Sequence, residues 1–120
     1  MQGTLTLADH LITTGPTPTA SAGAAANCTT GSPTITVTGN DTAGTVTVTT
    51  AAGDCVASSL AQVTFAKAFG TAPVITLTPK GASGAGLQYY YDSSTTTFDI
   101  KTGTAPTAGT IYVYSYHTLQ

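Results

Sequence analysis

Arginine, glutamate and tryptophan are absent from this chain, and only 7% of its 120 residues are charged. An ordinary soluble domain carries about 25%. The three cations, Lys67, Lys80 and Lys101, are scattered, so the basic footprint that nucleic-acid binding requires is missing. No apolar run approaches the roughly 20 residues of a membrane-spanning helix. Nor do the strand-like stretches have the length or aromatic girdles of a transmembrane barrel. Neither a nucleic-acid partner nor membrane insertion is expected. Disorder fits poorly, because net charge is only −2 and the apolar residues are regularly spaced. No basic-then-apolar leader follows Met1, so export through a secretion pathway is not expected.

The scarcity extends to chemistry. All five acidic residues are aspartates (Asp9, Asp41, Asp54, Asp92, Asp99), and no two are spaced as an acid–base pair. Asp41 and Asp92 read as turn formers. His10 and His117 stand alone near opposite ends of the chain. No nucleophile elbow, phosphate-cradling loop or metal-ligand spacing is present. The expectation is a protein that is not an enzyme and takes neither cofactor nor metal. The two cysteines, Cys28 and Cys55, form either one disulfide or two buried free thiols, the choice depending on the redox compartment. The triplets Asn27-Cys28-Thr29 and Asn40-Asp41-Thr42 match a glycosylation sequon, a frequent coincidence in threonine-rich sequence.

What the chain does contain is β pattern. Ile35 and Val37 alternate with Thr34, Thr36 and Thr38, and Val46 and Val48 with Thr45, Thr47 and Thr49. Period-2 alternation describes half-buried strands. Between them Asp41-Thr42-Ala43-Gly44 carries the end residues of a type I turn. Further strands are expected over residues 4–13, 63–65 (with Ala61, Val63 and Phe65 on one face), 74–78, 87–92, 97–101 and 110–117. A Gly/Pro/Thr/Ala low-complexity run at 14–32 is expected to lie extended over the surface or to pass to a neighbouring subunit; a helix at 20–26 would be unamphipathic. Seven or eight short strands in 11.9 kDa give a single all-β domain over residues 1–120, an antiparallel β-sandwich of jelly-roll-like type.

Large core residues are few: three Phe, one Met and many alanines. Alanine buries little area, so oligomerisation, with a trimer expected, is the natural source of extra burial. The six tyrosines fall into two stripes. Tyr112, Tyr114 and Tyr116 share one face of the last strand and are candidates for an oligomer interface, the alternative being that one stripe is core. Tyr89 and Tyr91, with Tyr90 on the other face, are candidates for ligand contact, because a flat ring with a polar tip suits stacking on sugars.

The string HLITTG near the start, the block G-x-D-x-A-G-x-V at Gly39 to Val46, the later VTFAKAFGTAPVITLTP and the closing YYYDSSTTTFDIKTGTAPTAGTIYVYSY together resemble a small β domain of phage tail fibres, spikes and related virion appendages. The resemblance runs from His10 onward. It implies a trimeric, non-enzymatic sandwich at a fibre tip, a head fibre or a decoration, located on the virion. Its partners would be other virion proteins and a host surface glycan. A shell or filament subunit without ligand, and a bacterial surface adhesin or carbohydrate-binding module at the cell surface, are the alternative readings.

Overall fold

The computed structural model describes residues 3–4 and 6–120. In chain order the elements are β1 (Thr19–Ala22), α1 (Ala24–Asn27), β2 (Thr34–Gly39), β3 (Ala43–Thr49), β4 (Ser59–Thr64), β5 (Val74–Pro79), α2 (Ala82–Gly86), β6 (Tyr89–Ser93), β7 (Thr97–Thr102) and β8 (Ile111–Leu119). They form two antiparallel four-stranded sheets, ordered β1-β4-β7-β6 and β2-β3-β8-β5. Each sheet holds one hairpin, β6–β7 in the first and β2–β3 in the second, and every other connection crosses between them. The fold is therefore an all-β sandwich.

Alternation decides what lies between the sheets. In the second sheet Val37 pairs with Val46, which pairs with Tyr114, while Ile35 pairs with Val48 and Val48 with Tyr112. In the first, Val63 pairs with Phe98, and Ala61 with Ile100. These rows meet face to face: Phe98 packs on Tyr116 at 5.1 Å between ring centroids, and Tyr89 on Tyr114 at 5.0 Å. Phe65 extends the aromatic layer, 4.7 Å from Phe69 and 5.7 Å from Phe98. Tilted and edge-on aromatic pairs at such spacing contribute about 0.5–1.5 kcal/mol each beyond their buried area. A bulge between Ser59 and Ala61 turns Leu60 inward beside Ala61, and both are fully buried.

The tyrosine stripe of β8 corrects one expectation. Tyr112, Tyr114 and Tyr116 are core residues with no surface to offer a neighbour, so they are not an oligomer interface. The reason is volume. With no tryptophan and many alanines, the space between the sheets is filled by the largest rings the chain has. Their hydroxyls are placed at the rim of the core, where backbone meets them. Tyr114 Oη donates to the Gly84 carbonyl at 3.1 Å, Tyr116 Oη donates to the Asn40 carbonyl at 2.6 Å, and Tyr112 Oη accepts the Thr107 N–H at 2.7 Å.

The N-terminal third differs from expectation in two ways. Among its described residues, 4–13 contain no strand. The low-complexity run at 14–32 instead supplies β1, an edge strand paired with β4, and the single turn α1, whose Ala25 and Ala26 close one end of the core. Small residues suit both tasks, because Gly23 passes too close to Ser59 to carry a Cβ. Cys28 follows α1 in a left-handed conformation (φ 48°) and is disulfide-bonded to Cys55 in the β3–β4 loop. Beside the bridge, Ala51 N–H donates to the Ala26 carbonyl at 2.9 Å and Thr30 N–H to the Ala52 carbonyl at 3.2 Å. Bridge and hydrogen bonds together tie the segment to the exit of the β2–β3 hairpin.

Candidate functional site

The β2–β3 turn is densely hydrogen-bonded, and it sits one residue earlier than the sequence pattern implies. The ladder ends at Gly39 opposite Gly44, and Asn40 N–H donates to the Ala43 carbonyl at 2.9 Å. Asn40 Oδ1 accepts from the N–H groups of Thr42 (2.9 Å) and Ala43 (3.1 Å), while its Nδ2 donates to the Thr13 carbonyl at 2.8 Å. A short amide side chain bonding the backbone two and three residues on is what fixes such a turn. Asn40 is buried, so its sequon is engaged inside the protein.

This shift releases Asp41 from the turn's first position. Its carboxylate instead accepts the Ala66 N–H at 2.7 Å and the Lys67 N–H at 2.8 Å, joining the hairpin to the β4–β5 loop that extends from the other sheet. Its carbonyl accepts the Thr118 hydroxyl at 2.7 Å. Asp41 is thus a structural tether. Burial, with the Asp41 charge adding to it, pushes the phenol of Tyr116 up to about 12, and burial also raises that of Tyr114. Both phenols stay protonated at neutral pH and act as hydrogen-bonding groups.

The β6–β7 hairpin reverses the expected sidedness of its tyrosines. Tyr91 pairs with Ile100, a core residue, so Tyr89 and Tyr91 turn toward the inside and are half-buried. Tyr89 is covered by the Tyr114 ring. Tyr90 is the exposed one, with 52% of its surface accessible. The signal was available: the return strand places Phe98 and Ile100 on one face, and pairing across the turn assigns Tyr91 to that face.

Around Tyr90 the outer face of the first sheet gathers Asp92, Asp99 and Lys101, three of the chain's eight charged residues. Lys101 is directly opposite Tyr90, and Asp99 directly opposite Asp92. Two carboxylates facing each other across a ladder repel. Lys101 relieves this by reaching diagonally to Asp92, Nζ to Oδ2 at 2.6 Å. That hydrogen bond and charge hold its ammonium above the ordinary lysine range. Gln62 continues the row beyond Asp99. Asp99 Oδ1 is screened from solvent and has no hydrogen-bond partner in the protein. The patch therefore presents one exposed ring, an ammonium, a carboxylate and an amide on a flat sheet. It can stack on and hydrogen-bond to a polyol.

A second concavity, about 400 Å³, lies between α2 and the β7–β8 loop. Ser83, Thr104, Thr107 and Thr110 line it, with Tyr112 at its base. Its wall is fixed by Thr50 Oγ1, which donates to the Thr107 carbonyl at 2.6 Å and accepts the Thr110 N–H at 3.0 Å. The lining is hydroxyl-bearing and uncharged. His10 lies against Asp9 on the exposed N-terminal segment, and His117 is exposed on the outer face of β8. Among the described residues no three His, Cys, Asp or Glu side chains come together as a metal site, and no helix is long and apolar enough to cross a membrane.

No family model matches the chain, and neither the curated proteins nor the solved structures searched contain a significant match.

Proposed function

We propose that this chain is a non-enzymatic virion appendage domain, a fibre tip, head fibre or decoration, working as a homotrimer of jelly-roll-like sandwiches that contacts a host surface glycan. The resemblance of the Gly39 to Val46 block and the later strands to such domains motivates the class. The observation that carries the reading is the Tyr90 face. It is a paired sheet surface with one exposed aromatic ring beside the Lys101–Asp92 ion pair, and sugar recognition uses that combination of apolar plate and polar groups. Three copies in a closed ring would present three such faces, converting weak single contacts into avidity.

The test is a glycan array probed with the purified chain and with Tyr90→Ala. Binding to a defined glycan class, lost in Tyr90→Ala and retained in Tyr91→Phe, is the expected result. An array without binding removes the glycan contact and leaves the ligand-free shell or filament subunit as the better reading; binding indifferent to Tyr90 removes the Tyr90 face as the site of contact.

A further inference from the structure

We infer that the cavity between α2 and the β7–β8 loop is a ligand site in its own right, taking one neutral polyhydroxylated ring (a monosaccharide unit or a cyclic polyol) to which the Tyr112 hydroxyl donates. The cavity is separate from the Tyr90 face, and the inference does not rest on that reading.

The three core tyrosines of β8 do not use their hydroxyls alike. A phenol can donate one hydrogen bond and accept others. Tyr114 and Tyr116 both donate, to the Gly84 carbonyl at 3.1 Å and the Asn40 carbonyl at 2.6 Å. Tyr112 Oη instead accepts the Thr107 N–H at 2.7 Å, and among the described residues no acceptor takes its proton. Tyr112 is only 3% exposed, and a buried donor left without an acceptor is costly. Thr107 and Tyr112 both line the cavity, so the unused proton lies at its base. An oxygen of a bound ligand is the acceptor that position asks for.

The rest of the lining limits what carries that oxygen. Ser83, Thr104 and Thr107 are exposed around the cavity, and among the described residues their hydroxyls have no partner within the chain. Leu87 and Ala105 add apolar surface between them. Neither a charged side chain nor a histidine lines the cavity, so an ionic ligand would lose hydration without gaining a counter-charge. A purely aliphatic ligand would leave the hydroxyls and the Tyr112 proton unanswered. A ring with hydroxyls on its edge and C–H groups on its faces answers both parts. The volume, about 400 Å³, is at the small end of the roughly 300–1,000 Å³ of ligand sites, which favours one ring over a chain.

The walls are held before any ligand arrives. Thr50 Oγ1 fixes the β7–β8 loop by donating to the Thr107 carbonyl and accepting the Thr110 N–H. On the other side the Gly84 carbonyl accepts from both Tyr114 Oη and the Leu87 N–H, which fastens α2 to the core. A preformed site avoids the ordering cost that would otherwise weaken a small ligand.

The experiment titrates the full chain with glucose, galactose, mannose, N-acetylglucosamine and myo-inositol, following backbone amides by NMR. Glucuronate and glucosamine serve as charged comparators. Saturable shifts at the Ser83, Thr107 and Thr110 amides are expected with at least one neutral member and with neither comparator. Ala105→Trp, a substitution at an exposed position that fills the cavity, should abolish them. Tyr112→Phe should weaken binding roughly tenfold, the effect of one hydrogen bond. Tyr90→Ala should leave the titration unchanged. No shift at these amides with any neutral member overturns the inference, as does binding that survives Ala105→Trp or is lost in Tyr90→Ala. Equal binding of a charged comparator also overturns it. Should Tyr112→Phe fail to fold, the cavity-filling variant and the comparators decide. The Tyr90 reading stands or falls separately, on the array.

Discussion

Removing one oxygen atom from the core tests how the sandwich is held shut. Tyr116→Phe keeps the ring in its place against Phe98, 5.1 Å away, and deletes only the hydroxyl that donates to the Asn40 carbonyl at 2.6 Å. The loss exceeds that of an exposed hydrogen bond, because the contact is buried and the carbonyl is left without that donor. The expected cost is about 2 kcal/mol, a drop in Tm of roughly 8 °C for a domain of this size. Urea unfolding should shift its midpoint at unchanged slope. The sign then changes character at high pH. The folded state holds the Tyr116 proton to about 12, against an ordinary value of 10, so the unfolded chain releases that proton first. A raised folded value gives stability that is complete below pH 10 and lost as pH rises through 12. At about 1.4 kcal/mol per pH step, roughly 2 kcal/mol is lost from wild type by pH 12 and none from the phenylalanine variant at this position. The two should converge near pH 12. A Tyr116→Phe protein as stable as wild type at pH 7, or a difference independent of pH between 9 and 12, would refute the reasoning.

Two further outcomes are expected. Reduction, or Cys28→Ser with Cys55→Ser, should cost about 3.5 kcal/mol from the entropy of a loop closed across 27 residues, and peptide mapping of native protein without reductant should recover the Cys28–Cys55 pair. Asp41→Ala should destabilise the domain by about 1–3 kcal/mol by removing the acceptors of the Ala66 and Lys67 N–H groups, with hydrogen exchange at those two amides rising more than elsewhere; uniform exchange would contradict the tether.

Local pattern made the hairpins legible. Threonine alternating with valine or isoleucine can satisfy one buried and one wet face in only one way, so β2, β3, β5 and β7 appear close to where the alternation puts them. Residues 4–13 carry the same signal and form no strand among their described residues, because a strand also needs an edge to pair with, and the edge is not encoded beside it. The reverse holds for β1. Its Thr-Ala-Ser-Ala has almost no strand signal, and it forms because β4 offers a ladder and Gly23 lets the chain pass Ser59.

The candidate site was obscured by parity. Three consecutive tyrosines on β6 show that one or two rings point outward, and nothing within the triplet says which. The answer comes from across the turn, where Ile100 opposite Tyr91 and Lys101 opposite Tyr90 divide inside from outside. The same cross-strand argument sends Tyr112, Tyr114 and Tyr116 inward, since Tyr114 and Tyr112 pair with Val46 and Val48 and Tyr116 lies across Gly44. Gly44 is then required for a reason beyond the turn. A Cβ there would meet the Tyr116 ring and the Thr38 carbonyl, so the glycine leaves the space that lets Tyr116 reach Asn40. The G-x-D-x-A-G-x-V block is in this sense one device. Asn40 shapes the turn and holds the N-terminal segment at Thr13, Asp41 ties the hairpin to the loop extending from the opposite sheet, and Gly44 admits the ring that holds the turn down.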